Sequence, residues 1–546
     1  MKTVIVGGVA GGMSAATRLR RLDETAEIVV FERSGYVSFA NCGLPYYVGG
    51  VIEKRGALLL QTPASLAARF GIDVRVHNEV LSIDRQAKTV RVRNLETGIE
   101  SDESFDALVL SPGASPFVPP IPGAERALPL RNVEDVDAMD AALRGLLETE
   151  GETVEAPSAV IMGAGFIGLE VAENLVHRGL KVTIIELADQ VLAPLDPEMA
   201  TLVERRLAAA GVDVRLGVQA SSIGQDSVTL SDGSTLPADL VVAAIGVRPE
   251  NGLAKAAGLA IGARGGILVD AHQRTSDPDI YAVGDAVTKV DAFSGGETMV
   301  PLASPANRHG RLVADVIAGR PVAAKPVLGT AILGAFGITA ATTGWNEKRA
   351  RAEGRAVRII HTHPANHAGY YPGAEGMSLK LVIDAETDAI LGAQGVGGSG
   401  VDKRIDVIAT AIRGGLKASE LVDLELAYAP QFGSAKDAVN MLGYIAENLA
   451  TGTARTIQWH ELEAEQAKGV QVIDVRTPGE YKRGTIPGAI NIPVDDLRER
   501  ADEVADGAIV HCQVGLRGYI AARMLEQLGR TGIRNLDGGY RTWARS

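Results

Sequence analysis

Two segments of this chain share one grammar, and that repetition constrains the fold more than any other feature. Thr3 to Glu32 and Ala159 to Glu186 each run from a β-branched strand through a glycine-rich turn into a small-residue helix, then into a second strand that ends in glutamate. A strand that turns at once into a helix and returns as a strand is the βαβ unit of a parallel, doubly wound sheet. Further apolar strands with sharp ends fit the same pattern: Ala107 to Leu110 before Ser-Pro-Gly-Ala, and Leu240 to Ile245 before Gly-Val-Arg-Pro.

At 546 residues the chain exceeds what one core can organise, so three or four domains are expected. Aromatic residues make up only 4% while glycines number 63, a balance suited to α/β layers with close backbone approaches. From about Pro326 the strand-turn-helix grammar stops. A strand at Ser378 to Ile383 and helices around Asp402 to Arg413 and Ser434 to Glu447 then indicate an α+β domain. The small, polar stretch after Glu447 reads as a boundary, and a new strand-helix pattern follows it.

The second glycine turn is Gly163-Ala-Gly165-Phe-Ile-Gly168, with Glu186 eighteen residues beyond its last glycine. Such a turn lets a pyrophosphate approach the helix N-terminus, where free N–H groups and the helix dipole favour negative charge. Glu186 is placed to bind ribose hydroxyls and to repel a 2′-phosphate. No Lys or Arg follows directly in Leu187-Ala-Asp-Gln190, so NADH is expected over NADPH. The first turn, Gly7-Gly8-Val9-Ala10-Gly11-Gly12, departs from the pattern at Val9, but Glu32 lies twenty residues past Gly12.

The two units, together with Ser111-Pro-Gly-Ala114, Ile245-Gly-Val-Arg-Pro249 and Tyr281-Ala-Val-Gly284-Asp285, resemble the pyridine nucleotide-disulfide oxidoreductase flavoproteins over roughly residues 1 to 447. The resemblance implies that the first unit binds FAD through Gly7, Gly8, Gly12, Glu32 and Arg33, with Gly284 and Asp285 at the ribityl chain. The second unit carries NADH to the flavin. The expected divisions are FAD-binding at 1–112 and 246–325, NADH-binding at 113–245, dimerisation at 326–447, a linker at 448–455 and a last domain at 456–546.

Only two cysteines occur, Cys42 and Cys512. This excludes a disulfide framework and fits a reducing compartment, so each is a candidate reactive thiol. The N-terminus enters a strand at once, and no apolar run is long enough to span a membrane. A cytoplasmic enzyme is therefore expected. A formal charge of −13 argues against nucleic acid as a partner, and no metal site is expected.

Cys42 stands alone in Ser38-Phe-Ala-Asn41-Cys42-Gly43-Leu-Pro-Tyr-Tyr47, with Val37 and Tyr47 where a second thiol would be sought. The loop resembles the single-cysteine branch of the family: coenzyme A-disulfide reductases, coenzyme A persulfide or polysulfide reductases, and NADH oxidases and peroxidases. The last two carry a histidine where this chain has Ala10, which counts against oxygen or peroxide as substrate. Resemblance to the coenzyme A-specific members assigns substrate binding to Ser14, Arg18, Arg21, Ser38 and Asn41. Arg18 and Arg21 recur at i and i+3, as a phosphate-binding pair or as a solvated basic face. The resemblance further places Asn307, Arg308, Lys436 and Tyr428 along the substrate channel, the last two from a partner subunit of a homodimer. It places a second tyrosine, Tyr370 or Tyr371, beside the redox cysteine. A nucleophilic role requires a lowered Cys42 pKa.

Asp474-Val-Arg476, Gly484-Thr-Ile-Pro-Gly-Ala-Ile-Asn491 and His511-Cys512-Gln-Val-Gly-Leu-Arg517 resemble a rhodanese domain spanning about ninety residues. Cys512 follows the strand Ala508 to Val510 and precedes a helix at Tyr519 to Leu528. Loop N–H groups, that helix and Arg517 would stabilise a thiolate or persulfide. Together the two halves imply an NADH-oxidising reductase of coenzyme A persulfide, polysulfide or coenzyme A disulfide, with Cys512 accepting sulfur from a donor. The alternatives are an NADH oxidase or peroxidase with an accessory rhodanese module, and a sulfur carrier or redox sensor.

Overall fold

A computed structural model of the chain describes residues 1–148 and 156–545. It divides into two compact units, Met1–Asp189 with Gly211–Gly329, and Gln190–Ala210 with Thr330–Ser546.

The first unit holds two parallel five-stranded sheets. One is ordered Ile280–Ala282, Ala107–Leu110, Lys2–Val6, Glu27–Phe31, Asp73–Arg75, and the other Asp213–Leu216, Lys181–Glu186, Ser158–Met162, Leu240–Ala243, Ala127–Leu128. In both, the strand before the glycine turn is central and the glutamate-ending strand lies beside it, in parallel register. Strands buried on both faces explain the unbroken apolar runs: Ala107–Leu110 and Leu240–Ala243 are buried at every position. Leu240–Ala243 stops two residues short of the expected end. Gly246, at φ +100°, turns the chain so that Val247–Pro249 pairs with Ala114–Pro116 instead. Two antiparallel three-stranded sheets and a two-stranded one, Lys289–Val290 with Glu297–Thr298, all absent from the sequence reading, also belong to this unit.

The second unit contains an antiparallel sheet, Ala331–Ala335, Ile338–Gly344, Ile390–Gly397, Met377–Asp384, Val357–Thr362. Its strand Met377–Asp384 is buried at all eight positions. Leu379, Leu381 and Ile383 pack with Ile405, Ile408 and Leu442 from the helices Val401–Gly414 and Ala438–Ala450. Burial of each such side chain contributes about 1.5–3 kcal/mol. The second helix was expected to start at Ser434. It starts at Ala438, because the Asp437 carboxylate accepts from the Val439 N–H at 3.1 Å and caps it there. It also runs to Ala450, into the stretch expected to be linker. A last sheet of five parallel strands is ordered Thr456–Ile457, Arg534–Leu536, Ile509–His511, Val472–Asp474, Ile490–Asn491. The helix after Cys512 spans Leu516–Gln527, so it opens three residues earlier than expected and takes Arg517 into its first turn. Among the described residues no helix is long and apolar enough to cross a membrane.

Candidate active sites

The two glycine turns are built alike. Gly7 and Gly163 adopt φ of +100° and +106°, and a β-carbon on Gly12 or Gly168 would fall about 2 Å from the carbonyl oxygen of Gly7 or Gly163. Only glycine permits that packing of helix on turn. Each terminal glutamate grips its own turn. Glu32 accepts from the N–H groups of Gly8 at 2.8 Å and Ser34 at 2.9 Å, and Glu186 from those of Ala164 at 2.8 Å and Ala188 at 2.9 Å. The helices Ala10–Leu22 and Phe166–His177 open without a side-chain cap, leaving N–H groups for an anion. At Gly165 no atom lies within 4 Å of where a β-carbon would stand, which leaves room for a pyrophosphate.

Asp285 follows Gly284 in a short turn after the strand Ile280–Ala282. Its Oδ1 is buried without a partner among the described residues, and burial pushes its carboxyl up despite Lys289 and Arg131. Such an atom calls for a donor, and a ribityl hydroxyl would supply it. Lys289, buried and lowered to about 8, donates to the Gly284 carbonyl at 2.8 Å and holds this turn. The residues therefore fit a flavin. Arg33, by contrast, is largely exposed and faces Glu79 at 3.8 Å.

Cys42 lies in the short turn Asn41–Gly43 that leads into the helix Leu44–Val48, and it is exposed. Ser38, at φ +47°, is a non-glycine residue held in the left-handed region at the entry to this loop, and its N–H donates to the Gly8 carbonyl. Although Cys42 reaches solvent, partial burial and then the charges of Glu170 and Asp285 push its thiol up. This is opposite in sign to the lowering that a nucleophile requires, and the side chains that contribute to it are the Glu170 and Asp285 carboxylates.

Glu170 went unnoticed in the sequence. It sits on the helix Phe166–His177, and the Tyr46 hydroxyl donates to its Oε1 at 3.4 Å. Burial raises Glu170 to about 7, with Glu173 adding to the shift, and Tyr46 is raised to about 12. The available signal was an acid two residues past the last glycine of the motif, in the run Gly168-Leu-Glu170.

The candidate coenzyme A residues fall into two groups. Ser14 Oγ donates to Asn307 Oδ1 at 2.6 Å, joining the helices Ala10–Leu22 and Ala303–Ile317, and Asn41 Nδ2 reaches the Arg131 carbonyl at 3.2 Å. Arg18, however, is engaged by Asp315 at 2.7 Å, whereas Arg21 is exposed. The two arginines are not equivalent members of one fork. In the second unit, Tyr370 and Tyr428 meet through their hydroxyls at 3.0 Å, and Lys436 is exposed. Tyr371 instead packs edge-on against His367.

Cys512 is buried at the start of its loop, and the Gly515 N–H points at its sulfur at 3.2 Å. Arg517 faces the same sulfur while bound through two nitrogens to Glu480, at 2.7 and 2.8 Å, and this holds the Glu480 carboxyl down at about 2. Arg476, absent from the expected site, is buried. It braces the loop by donating to Gln513 at 3.0 Å while paired with Asp474. Beside the loop Arg476, Arg483, Gln513, Tyr540 and Arg541 line a cavity of about 320 Å³. Elsewhere in this unit Asp196, Glu198 and Glu347 converge, and the Lys380 ammonium fills the space between them at 2.9, 2.5 and 2.7 Å.

These geometries agree with what the chain is similar to. Residues 1–310 match the family model described as pyridine nucleotide-disulphide oxidoreductase, and residues 332–439 match the dimerisation domain of the same family. The chain belongs to the pyridine nucleotide-disulphide oxidoreductase family. Its members use FAD and a nicotinamide nucleotide, the two groups that the paired glycine turns fit. Residues 458–546 match the rhodanese-like domain. A coenzyme A disulfide reductase of Staphylococcus haemolyticus is 35% identical over 450 residues, 82% of this chain and all of the relative. The crystal structure of reduced Bacillus anthracis CoADR-RHD is 46% identical with a TM-score of 0.96, covering 100% of this chain and 98% of that one. The NAD-dependent persulfide reductase from A. fulgidus is 37% identical with a TM-score of 0.91, and each chain is covered fully.

Proposed function

We propose that this chain is an NADH-oxidising flavoprotein that reduces coenzyme A persulfide, polysulfide or coenzyme A disulfide at Cys42, while the rhodanese domain transfers sulfane sulfur through Cys512. The observation that carries the reading is similarity along the whole chain to CoADR-RHD and to the NAD-dependent persulfide reductase. The coenzyme A disulfide reductase of Staphylococcus haemolyticus covers 82% of this chain. The chain then works as a cytoplasmic homodimer through residues 326–447, where Tyr370, Tyr371, Tyr428 and Phe432 form an exposed aromatic surface suited to burial against a second copy. The division into 1–112, 113–245, 246–325, 326–447, 448–455 and 456–546 is proposed as the working domain map.

Glycines 7, 8 and 12 with Glu32, and glycines 163, 165 and 168 with Glu186, hold FAD and NADH respectively. FAD supplies a route for an electron pair from NADH to sulfur. Cys42 thiolate attacks the inner sulfur of coenzyme A persulfide, forms a mixed disulfide with coenzyme A and releases hydrosulfide. The electron pair then cleaves that disulfide to Cys42 thiolate and coenzyme A thiol. The sum of the two steps consumes one NADH per coenzyme A persulfide, releases one hydrosulfide and leaves the hydride's proton on the coenzyme A thiol. Coenzyme A disulfide enters the same way, with coenzyme A thiolate leaving. Glu170, lifted to about 7, is able to hold or give a proton at neutral pH, and Tyr428 with Tyr370 offers a phenol to the departing sulfur. Ser14, Asn41 and Asn307 position the substrate, with Arg21 available to its phosphates.

The test is anaerobic NADH oxidation with each of the three acceptors, with sulfide quantified, on the parent protein and on Cys42→Ser and Cys512→Ser. Fast sulfide release that vanishes in Cys42→Ser supports the reading, and a smaller loss in Cys512→Ser assigns sulfur delivery to the rhodanese domain. NADH consumption only on admission of oxygen or peroxide would overturn it.

A further inference from the structure

The rhodanese domain is fastened to the antiparallel sheet by a fully buried histidine. His361 lies on the strand Val357–Thr362, opposite Lys380 on the neighbouring strand. Its Nδ1 meets Asp537 Oδ2 at 2.6 Å, its Nε2 meets Glu198 Oε1 at 2.9 Å, and its backbone N–H donates to the same Asp537 carboxylate at 3.0 Å. Burial works against charge on this ring, but the Asp537 and Glu198 carboxylates outweigh both burial and the nearby Lys380 ammonium, lifting it to about 9. The ring is therefore an imidazolium at neutral pH, bonded on both sides.

Asp537 also begins the turn that supports the Cys512 loop. Gly538 and Gly539 follow at φ +65° and +63°. A β-carbon on Gly538 would meet His361 Cβ at 2.9 Å, and one on Gly539 would meet the Cys512 carbonyl oxygen at 2.5 Å and the Gly515 nitrogen at 2.9 Å. The next two residues grip the loop directly, Tyr540 N–H to the Cys512 carbonyl at 2.8 Å and Arg541 N–H to the Gln513 carbonyl at 3.0 Å. Four residues of chain thus run from the carboxylate on the imidazolium to the backbone that carries Gly515, whose N–H points at the Cys512 sulfur at 3.2 Å.

We infer that His361 is a positioning residue for the rhodanese thiol: by fixing Asp537 it sets the Gly538–Gly539 turn and so the loop that cradles Cys512. Two residues so tightly packed between the histidine and the loop leave little slack to absorb a shift at either end. The inference rests on the reading of Cys512 as the sulfur-carrying thiol. It is read on the thiol itself, so it stands or fails separately from sulfur transfer.

The experiment uses full-length, FAD-loaded protein in a Cys42→Ser background, where Cys512 is the one thiol. Its alkylation by iodoacetamide is followed by mass spectrometry from pH 5 to 10 in Asp537→Asn, His361→Asn and, as a core-weakening control in the same unit, Ile408→Ala. Both latch variants are expected to displace the alkylation profile to higher pH and to slow the reaction at pH 7 by roughly fivefold or more, since the thiolate loses a positioned donor. Ile408→Ala is expected to lower the melting temperature and leave the profile in place. Latch variants that melt lower yet titrate like the parent would overturn the inference, as would an equal displacement in Ile408→Ala. Should His361→Asn fail to fold, Asp537→Asn carries the test, because asparagine Oδ1 still accepts from the His361 N–H.

Discussion

The phenolic oxygens of Tyr370 and Tyr428 lie 3.0 Å apart, one hydrogen bond between residues 58 positions distant in the chain. Both rings are exposed, at 76% and 47%, so the pair is organised before anything covers it. In the proposed mechanism the Tyr428 phenol serves the departing sulfur, so Tyr428→Phe is expected to lower kcat with coenzyme A disulfide by at least tenfold, with Tyr370→Phe lowering it less. Steady-state rates with KM resolved from kcat check this. Equal, small effects of both variants would mark the pair as interface packing.

Glu170 carries a carboxyl raised to about 7 by burial. A carboxyl raised on folding favours the native state below its unfolded pKa, and that advantage fades as pH rises through the folded value. Glu170→Gln should therefore gain melting temperature relative to the parent between about pH 4.5 and 7, and hold that gain above it. Paired thermal unfolding at pH 4.5, 6 and 8 checks the sign. If Glu170 also supplies the proton, the fall in parent kcat above pH 7 flattens in the variant.

Removing the charge of His361 leaves Glu198 and Asp537 buried without it, and breaking such a pair costs about 3–5 kcal/mol. Because folding raises this imidazole to about 9, its stabilisation is complete below its unfolded value of about 6.5 and is lost as pH rises through 9. Urea unfolding of parent and His361→Asn should differ most at pH 6 and converge by pH 10.

Glu186 spends two of its acceptor positions on the Ala164 and Ala188 N–H groups. Glu186→Gln keeps one acceptor oxygen but loses the charge that, in the proposed NADH site, discourages a 2′-phosphate. Affinity for NADH is expected to fall roughly tenfold and the preference over NADPH to narrow, as read by stopped-flow reduction with each nucleotide.

The parts of this fold legible in the sequence are those in which chemistry and local backbone coincide. Gly7 and Gly163 announce their turns because no other residue takes that conformation, and Glu32 and Glu186 fall at the spacing that one strand after one helix dictates. What stayed hidden depends on side chains distant in sequence. Nothing near Glu170 reveals that Tyr46 comes to it across 124 positions, nothing near His361 reveals Asp537 across 176, and nothing near Arg18 reveals its commitment to Asp315. That Tyr370 rather than Tyr371 meets Tyr428 likewise depends on the path of the loop, because adjacent residues project apart. The start of the helix after Asp437 was misread because capping by that carboxylate, rather than the apolar pattern, fixes where it begins.

Lys380 and His361 face each other across two strands and share Glu198 Oε1. A rhodanese module joined to a reductase by a tether alone would be a passenger, removable without loss to its host. Here Asp537 of the passenger completes a charge cluster inside the host, so deletion of residues 456–545 would leave the His361 imidazolium only the Glu198 oxygen that it shares with Lys380, while Lys380 keeps Asp196 and Glu347. Relatives that never acquired the module are expected to carry an uncharged residue in place of His361, and a lineage that loses the module must change that position as well.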